Sequence, residues 1–98
     1  MFDKMKKLME LQGKMRQIKK ELEYATVEAE SPCGRVKMTM SGEQAVKSVE
    51  IADELLNMAN KDRLTQALLS CINQAVKKSQ KLATEKVQTT AGLNLPGL

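Results

Sequence analysis

The stretch ATVEAESPCGRVKMTM, residues 25–40, decides the fold. Ala25, Val27 and Ala29 alternate with Thr26, Glu28 and Glu30, and Val36, Met38 and Met40 alternate with Arg35, Lys37 and Thr39. A period of two is the mark of a half-buried strand. Ser31-Pro32-Cys33-Gly34 between the two runs has turn chemistry. Folding the stretch about that four-residue loop sets Glu30 against Arg35, Glu28 against Lys37 and Thr26 against Thr39. The other face then pairs Ala29 with Val36, Val27 with Met38 and Ala25 with Met40. Opposite charges meet on one side and apolar groups on the other, so two patterns agree on one register.

Upstream the period is helical. Leu8, Leu11, Met15, Ile18 and Leu22 recur in steps of three and four, which predicts a helix from Asp3, a candidate cap, to Leu22. Gly13 lies inside it, at about 1 kcal/mol against alanine. It admits another backbone, allows a gentle bend or is simply tolerated. Met5, Met15, Met38 and Met40 fall on expected core faces, and Met9 lies off the stripe.

Downstream, Ser41-Gly42-Glu43 turns the chain into a third strand over residues 45–51. Strict alternation would place Lys47 on the core face with Val49 and Ile51. Either Lys47 sits at the sheet margin or a bulge near Val46 resets the phase. Asp53-Glu54-Leu55-Leu56 predicts a short helical turn, and Asn60 reads as the cap of a long second helix. The stripe of that helix is Leu64, Ala67, Leu68, Cys71, Ile72, Ala75, Val76, Leu82 and Ala83. The whole is an α+β chain, α-β-β-β-α, with a three-stranded antiparallel meander. Residues 1–88 form one domain and residues 89–98 an irregular tail. Each helix is about 30 Å long, at 1.5 Å per residue, so both project beyond a three-stranded sheet. Antiparallel packing along the stripes sets Leu22 near Leu64 and Leu8 near Lys78. Lys4, Lys6 and Lys7 then gather with Lys77, Lys78, Lys81 and Lys86 at the far end.

The composition narrows the function. The 98 residues hold one Phe, one Tyr, no Trp and no His. A core this small gains from oligomerisation. Without His the commonest general base is missing, and neither Cys33 nor Cys71 has an activating partner visible in the sequence, so no enzyme is expected. No metal cluster, phosphate-cradling loop, cofactor site or small-molecule substrate site is legible. No apolar run approaches the roughly 20 residues of a membrane span, the charged N-terminal residues do not suit a signal peptide, and free thiols suit a reducing cytoplasm.

Charge is sorted by segment. Residues 1–20 carry seven basic and two acidic side chains, residues 21–60 three and eight, and residues 61–98 six and two. Lysine-rich helix faces are often only solvated, but this sorting favours a polyanionic partner. Phosphate contacts need no aromatic side chains, whereas single-strand stacking and RNA-reading sheets do. Duplex DNA held through its backbone fits best. A coiled-coil adaptor is the alternative, on the heptad-like spacing of helix one. A basic amphipathic helix on a membrane ranks below both, because Phe2 is its sole aromatic anchor.

The chain resembles the YbaB/EbfC family of bacterial nucleoid-associated proteins nearly end to end. The resemblance rests on the opening KMKKLMELQGKMRQIKKEL, the strand pair GRVKMTMSGEQAVKSVEI, the helix after DELL and the closing GLNLPGL, in that order. It implies a cytoplasmic, nucleoid-localised homodimer joined through the sheet, with paired helices projecting around DNA. Chromosome organisation and an influence on transcription are implied with it. DNA contacts in that family are attributed to the first and last helices. The matching positions are Lys4, Lys6, Lys7 and Lys14 in one, and Lys77, Lys78 and Lys81 in the other.

Overall fold

The computed structural model describes residues 2–91. Helix α1 spans Phe2–Tyr24, strands β1, β2 and β3 span Thr26–Glu30, Val36–Ser41 and Val46–Ile51, and helix α2 spans Lys61–Ala91. Two 3₁₀ turns, Asp53–Leu55 and Met58–Asn60, join β3 to α2. The strands form one antiparallel sheet in the order β1-β2-β3. The expected α-β-β-β-α meander is therefore present. α2 runs through residue 88 to Ala91, and the rest of the expected tail lies outside the described residues.

The first hairpin keeps its faces but not its partners. Glu30 pairs with Lys37, Glu28 with Thr39, Ala29 with Met38 and Val27 with Met40. Each partner lies two residues further along β2 than the alternation alone predicts. The cause is the turn. The Gly34 N–H donates to the Ser31 carbonyl at 2.8 Å, Gly34 takes φ +73°, and the Ser31 N–H donates to the Val36 carbonyl at 2.9 Å. Ser31 thus belongs to the ladder, and the loop becomes Pro32–Arg35. A shift of two preserves parity, so Ala29, Val36, Met38 and Met40 stay buried. Arg35, released from Glu30, forms an ion pair with Glu54.

The second hairpin resolves the Lys47 question in favour of a bulge. Thr39 pairs with Ser48 and Met40 with Val46, which leaves Lys47 as the extra residue. Its turn closes with the Gln44 N–H on the Ser41 carbonyl at 3.0 Å, and the left-handed position is Gln44, φ +66°, rather than Gly42.

α2 lies over β1 and β2. Its sheet-facing side is a run of small residues at four-residue spacing, Ala67, Cys71, Ala75 and Ser79, all buried. Small side chains let the helix approach closely, and Val36, Met38 and Met40 fill the gap from below. The Ser79 hydroxyl donates to the Ser41 carbonyl at 2.8 Å, which fixes the helix along the strand direction. At the helix entry, Asn60 does not cap with its side chain. That amide donates to the Glu54 carbonyl at 2.7 Å, while Asn57 accepts from the Asn60 N–H at 2.9 Å.

Among the described residues, α1 meets the rest of the protomer only near its end. Ile18 and Leu22 are its buried residues. The Gly42 N–H donates to the Leu22 and Ala25 carbonyls, each at 3.0 Å, and so ties the end of α1 to the β2–β3 turn. The expected helix pairing is offset as a result. Leu22 sits near Gly42 rather than Leu64, and Glu21 lies 3.8 Å from Lys86. Residues 64–79 of α2 serve the sheet, and only its last turns pair with α1. Met5, Leu8, Leu11 and Met15, expected on the core face, are 62%, 60%, 41% and 45% exposed. The molecule is accordingly long, 67 × 24 × 15 Å, with a radius of gyration of 18.3 Å. A compact chain of this length would have about 13 Å.

Candidate nucleic-acid interface

The structure separates the two lysine groups that were expected to gather. With Glu21 opposite Lys86, the helices run antiparallel. Lys6 lies 15 residues from Glu21 toward the free end of α1, and Lys78 lies eight residues from Lys86 toward the sheet. At 1.5 Å per residue they stand about 35 Å apart along the arm. Mutual repulsion among Lys4, Lys6, Lys7, Lys77, Lys78, Lys81 and Lys86 at one tip therefore does not arise. The cations are instead strung along the molecule.

Their surroundings differ. Lys4, Lys6, Lys7, Lys14, Arg16, Lys19 and Lys20 on α1 are all exposed. So are Lys77 and Lys81 on α2. Lys78 has a structural duty: its ammonium donates to the Glu28 carbonyl at 2.7 Å. The Gln74 amide oxygen accepts from the Glu30 N–H at 2.9 Å. Together they occupy the outer edge of β1, which would otherwise present unpaired backbone groups. Sequence reasoning counted Lys78 as a cation and passed over Gln74. Their spacing of four residues, on the flank beside the small-residue stripe, was the available signal.

The opposite flank of α2 is apolar. Leu69 and Ile72 are 54% and 40% exposed, with Leu68 and Val76 half-buried beside them. β3 carries Val46 and Val49 on the helix side of the sheet, yet they are 50% and 44% exposed because α2 does not reach across it. Leu56 and Met58, in the segment between β3 and α2, are exposed as well.

The cysteines play no part in the strip of cations. Cys71 is buried, with its thiol 3.6 Å from the Ala29 carbonyl, and burial pushes its pKa up. Cys33 is exposed, and its contact with the Ser31 hydroxyl at 3.3 Å holds its pKa below the ordinary thiol value. Among the described residues, no group of three or more His, Cys, Asp or Glu is placed to hold a metal, and no helix is long and apolar enough to cross a membrane.

Fold and charge together define a small α-β-β-β-α protein that presents cations along a projecting helical arm. Residues 1–93 match the YbaB/EbfC DNA-binding family, and the chain belongs to that family. A nucleoid-associated protein of Dictyoglomus turgidum is 36% identical over 96 residues, covering 97% of this chain and 92% of its own. One of Syntrophobacter fumaroxidans is 33% identical over 98 residues, covering 99% and 89%. The crystal structure of HP0035, an uncharacterized protein of Helicobacter pylori, shares the fold. Its TM-score is 0.80 at 18% identity, covering 94% of this chain and 98% of its own.

Proposed function

We propose that this protein is a nucleoid-associated homodimer that binds duplex DNA through the phosphate backbone with little sequence preference. By organising the chromosome in the cytoplasm it alters access to promoters. The observation that supports this reading is the strip of exposed cations on a helical arm, about 35 Å long, or roughly one turn of duplex. Lys4, Lys6, Lys7 and Lys14 on α1, and Lys77 and Lys81 on α2, supply the phosphate contacts. Lys78 contributes through the charge left on its remaining N–H groups. Base reading is weak because no Arg- or Asn-rich helix is offered to a groove.

Exposed apolar side chains support the dimeric part of this reading. Gln74 and Lys78 occupy the β1 edge, so the sheet is open on the β3 side. Val46 and Val49 on that strand, and Leu69 and Ile72 on the flank of α2, are exposed apolar side chains that a second copy would bury.

Salt tests the reading. A dimer that neutralises about six to ten phosphates loses roughly 10³- to 10⁵-fold in affinity between about 50 and 200 mM salt. Gel shifts with unrelated duplexes across that range should show the loss for every sequence. A flat response, or strong preference for one sequence, refutes the proposal. The exposed stripe Met5, Leu8, Leu11 and Met15 favours a second reading, a coiled-coil adaptor for another protein. That reading predicts a partner retained at high salt and after nuclease treatment.

A further inference from the structure

We infer that residues 92–98, GLNLPGL, which lie outside the described residues, run on from α2 as a strap along α1 and cover Leu11 and Leu8, whether or not the arm binds DNA. Leu8, Leu11, Met15, Ile18 and Leu22 form one stripe on α1, and its two halves differ. Ile18 and Leu22 are buried, whereas Met15, Leu11 and Leu8 are exposed. The change falls where α2 stops. Glu21 stands opposite Lys86 and the helices run antiparallel, so Ala91, five residues on, reaches the level of Arg16. Val87 and Thr90, in the last turns of α2, are half-buried. The uncovered half of the stripe is therefore continuous with the α1–α2 contact, and the chain leaving α2 is aimed along it.

Residues 92–98 fit that track in length, conformation and composition. Leu11 and Leu8 lie about 8 and 12 Å beyond the level of Arg16, at 1.5 Å per residue. Leu93 and Leu95 lie about 7 and 13 Å past Ala91 in an extended chain, at about 3.3 Å per residue. Residues two apart share a face of an extended backbone, so both leucines meet the stripe together. Gly92 and Pro96 disfavour a continued helix, and Pro96 biases Leu95 toward extended backbone. The segment has three leucines and no charged side chain, so it suits an apolar track and leaves the neighbouring lysines unneutralised. A second copy has other ground to cover: Val46, Val49, Leu69 and Ile72, exposed at the sheet end of the molecule.

The test uses the full chain with Cys33→Ser, which leaves the buried Cys71 as the one native thiol. Leu8→Cys with Leu95→Cys is oxidised with copper phenanthroline beside Gly13→Cys with Leu95→Cys, because Gly13 stands on the side of α1 opposite the stripe. The first pair should close within one chain roughly tenfold faster than the second, since only the first brings its Cα atoms within about 7 Å. Equal rates, or no closure, overturn the inference. Mixing chains that carry only Leu8→Cys with chains that carry only Leu95→Cys should give no mixed covalent dimer. A mixed dimer would assign the stripe to a second copy and overturn the inference too. Separately, Leu93→Ser, Leu95→Ser and Leu98→Ser together should speed amide exchange over residues 8–15 roughly three- to tenfold and leave the buried amides of β2 unchanged. Unchanged exchange over residues 8–15 would leave the stripe free for another protein and overturn the inference, whatever the affinity for DNA.

Discussion

Replacing Gly42 with alanine should loosen the root of the α1 arm. A β-carbon at position 42 would lie 2.6 Å from Leu22 Cδ2, 3.1 Å from Leu22 Cβ and 3.2 Å from the Leu22 carbonyl oxygen. The methyl can rotate away, but the β-carbon and carbonyl belong to the end of a helix and move only with it. Backbone strain is not the cause, because Gly42 is not among the positive-φ residues. At an ordinary φ, alanine for glycine stabilises by about 0.4–1 kcal/mol, so any loss must come from the contact. Overpacking costs about 1–3 kcal/mol, and weakening the shared hydrogen bond from the Gly42 N–H adds about 0.5–1.5 kcal/mol. A net cost near 2 kcal/mol lowers the thermal midpoint by roughly 8–16 °C for a domain of this size. Thermal unfolding followed by circular dichroism, at fixed protein concentration, measures it. Combined with Leu22→Ala, which removes the 2.6 Å contact, the loss should be smaller than the sum of the two single losses. A midpoint for Gly42→Ala within about 1 °C of wild type would refute the reasoning.

Two further predictions use other parts of the molecule. Iodoacetamide near neutral pH should alkylate Cys33 in the folded protein and Cys71 only after unfolding, because one is exposed and the other buried. A lowered pKa means more thiolate at a given pH, so Ser31→Ala, which removes the 3.3 Å contact, should slow the reaction at Cys33. Equal labelling of both cysteines would contradict the packing of α2. Ile72→Lys places a charge on the uncovered flank of α2 without touching the small-residue face. The proposed dimer should sediment as a monomer with helical content intact, and an unchanged dimer would move the interface elsewhere.

Periodicity made faces legible and left offsets open, and the differences between expectation and structure follow that division. Residues 25–40 announced which side chains turn inward, and the two-residue slip in register left Val27, Ala29, Val36, Met38 and Met40 inward. The slip itself depended on whether Ser31 joins the ladder or the loop, which a turn-forming composition does not decide. Likewise the stripes of α1 and α2 were correctly read as helical, but a stripe says nothing about where along it the partner sits. That position was set by groups without a periodic signature: the Ser79 hydroxyl on the Ser41 carbonyl and the Gly42 N–H on the Leu22 carbonyl. Both place the helices by close approach of small residues rather than by apolar area. The lysine positions inherit the same offset, which is why they lie spread along the arm rather than bunched at its tip. The exposed stripe of α1 inherits it too. Leu8, Leu11 and Met15 keep the spacing of a buried seam because the pattern was fitted to a contact that the described part of one chain does not supply. Contact with a segment outside the described residues is therefore the level at which the N-terminal half of this helix makes physical sense.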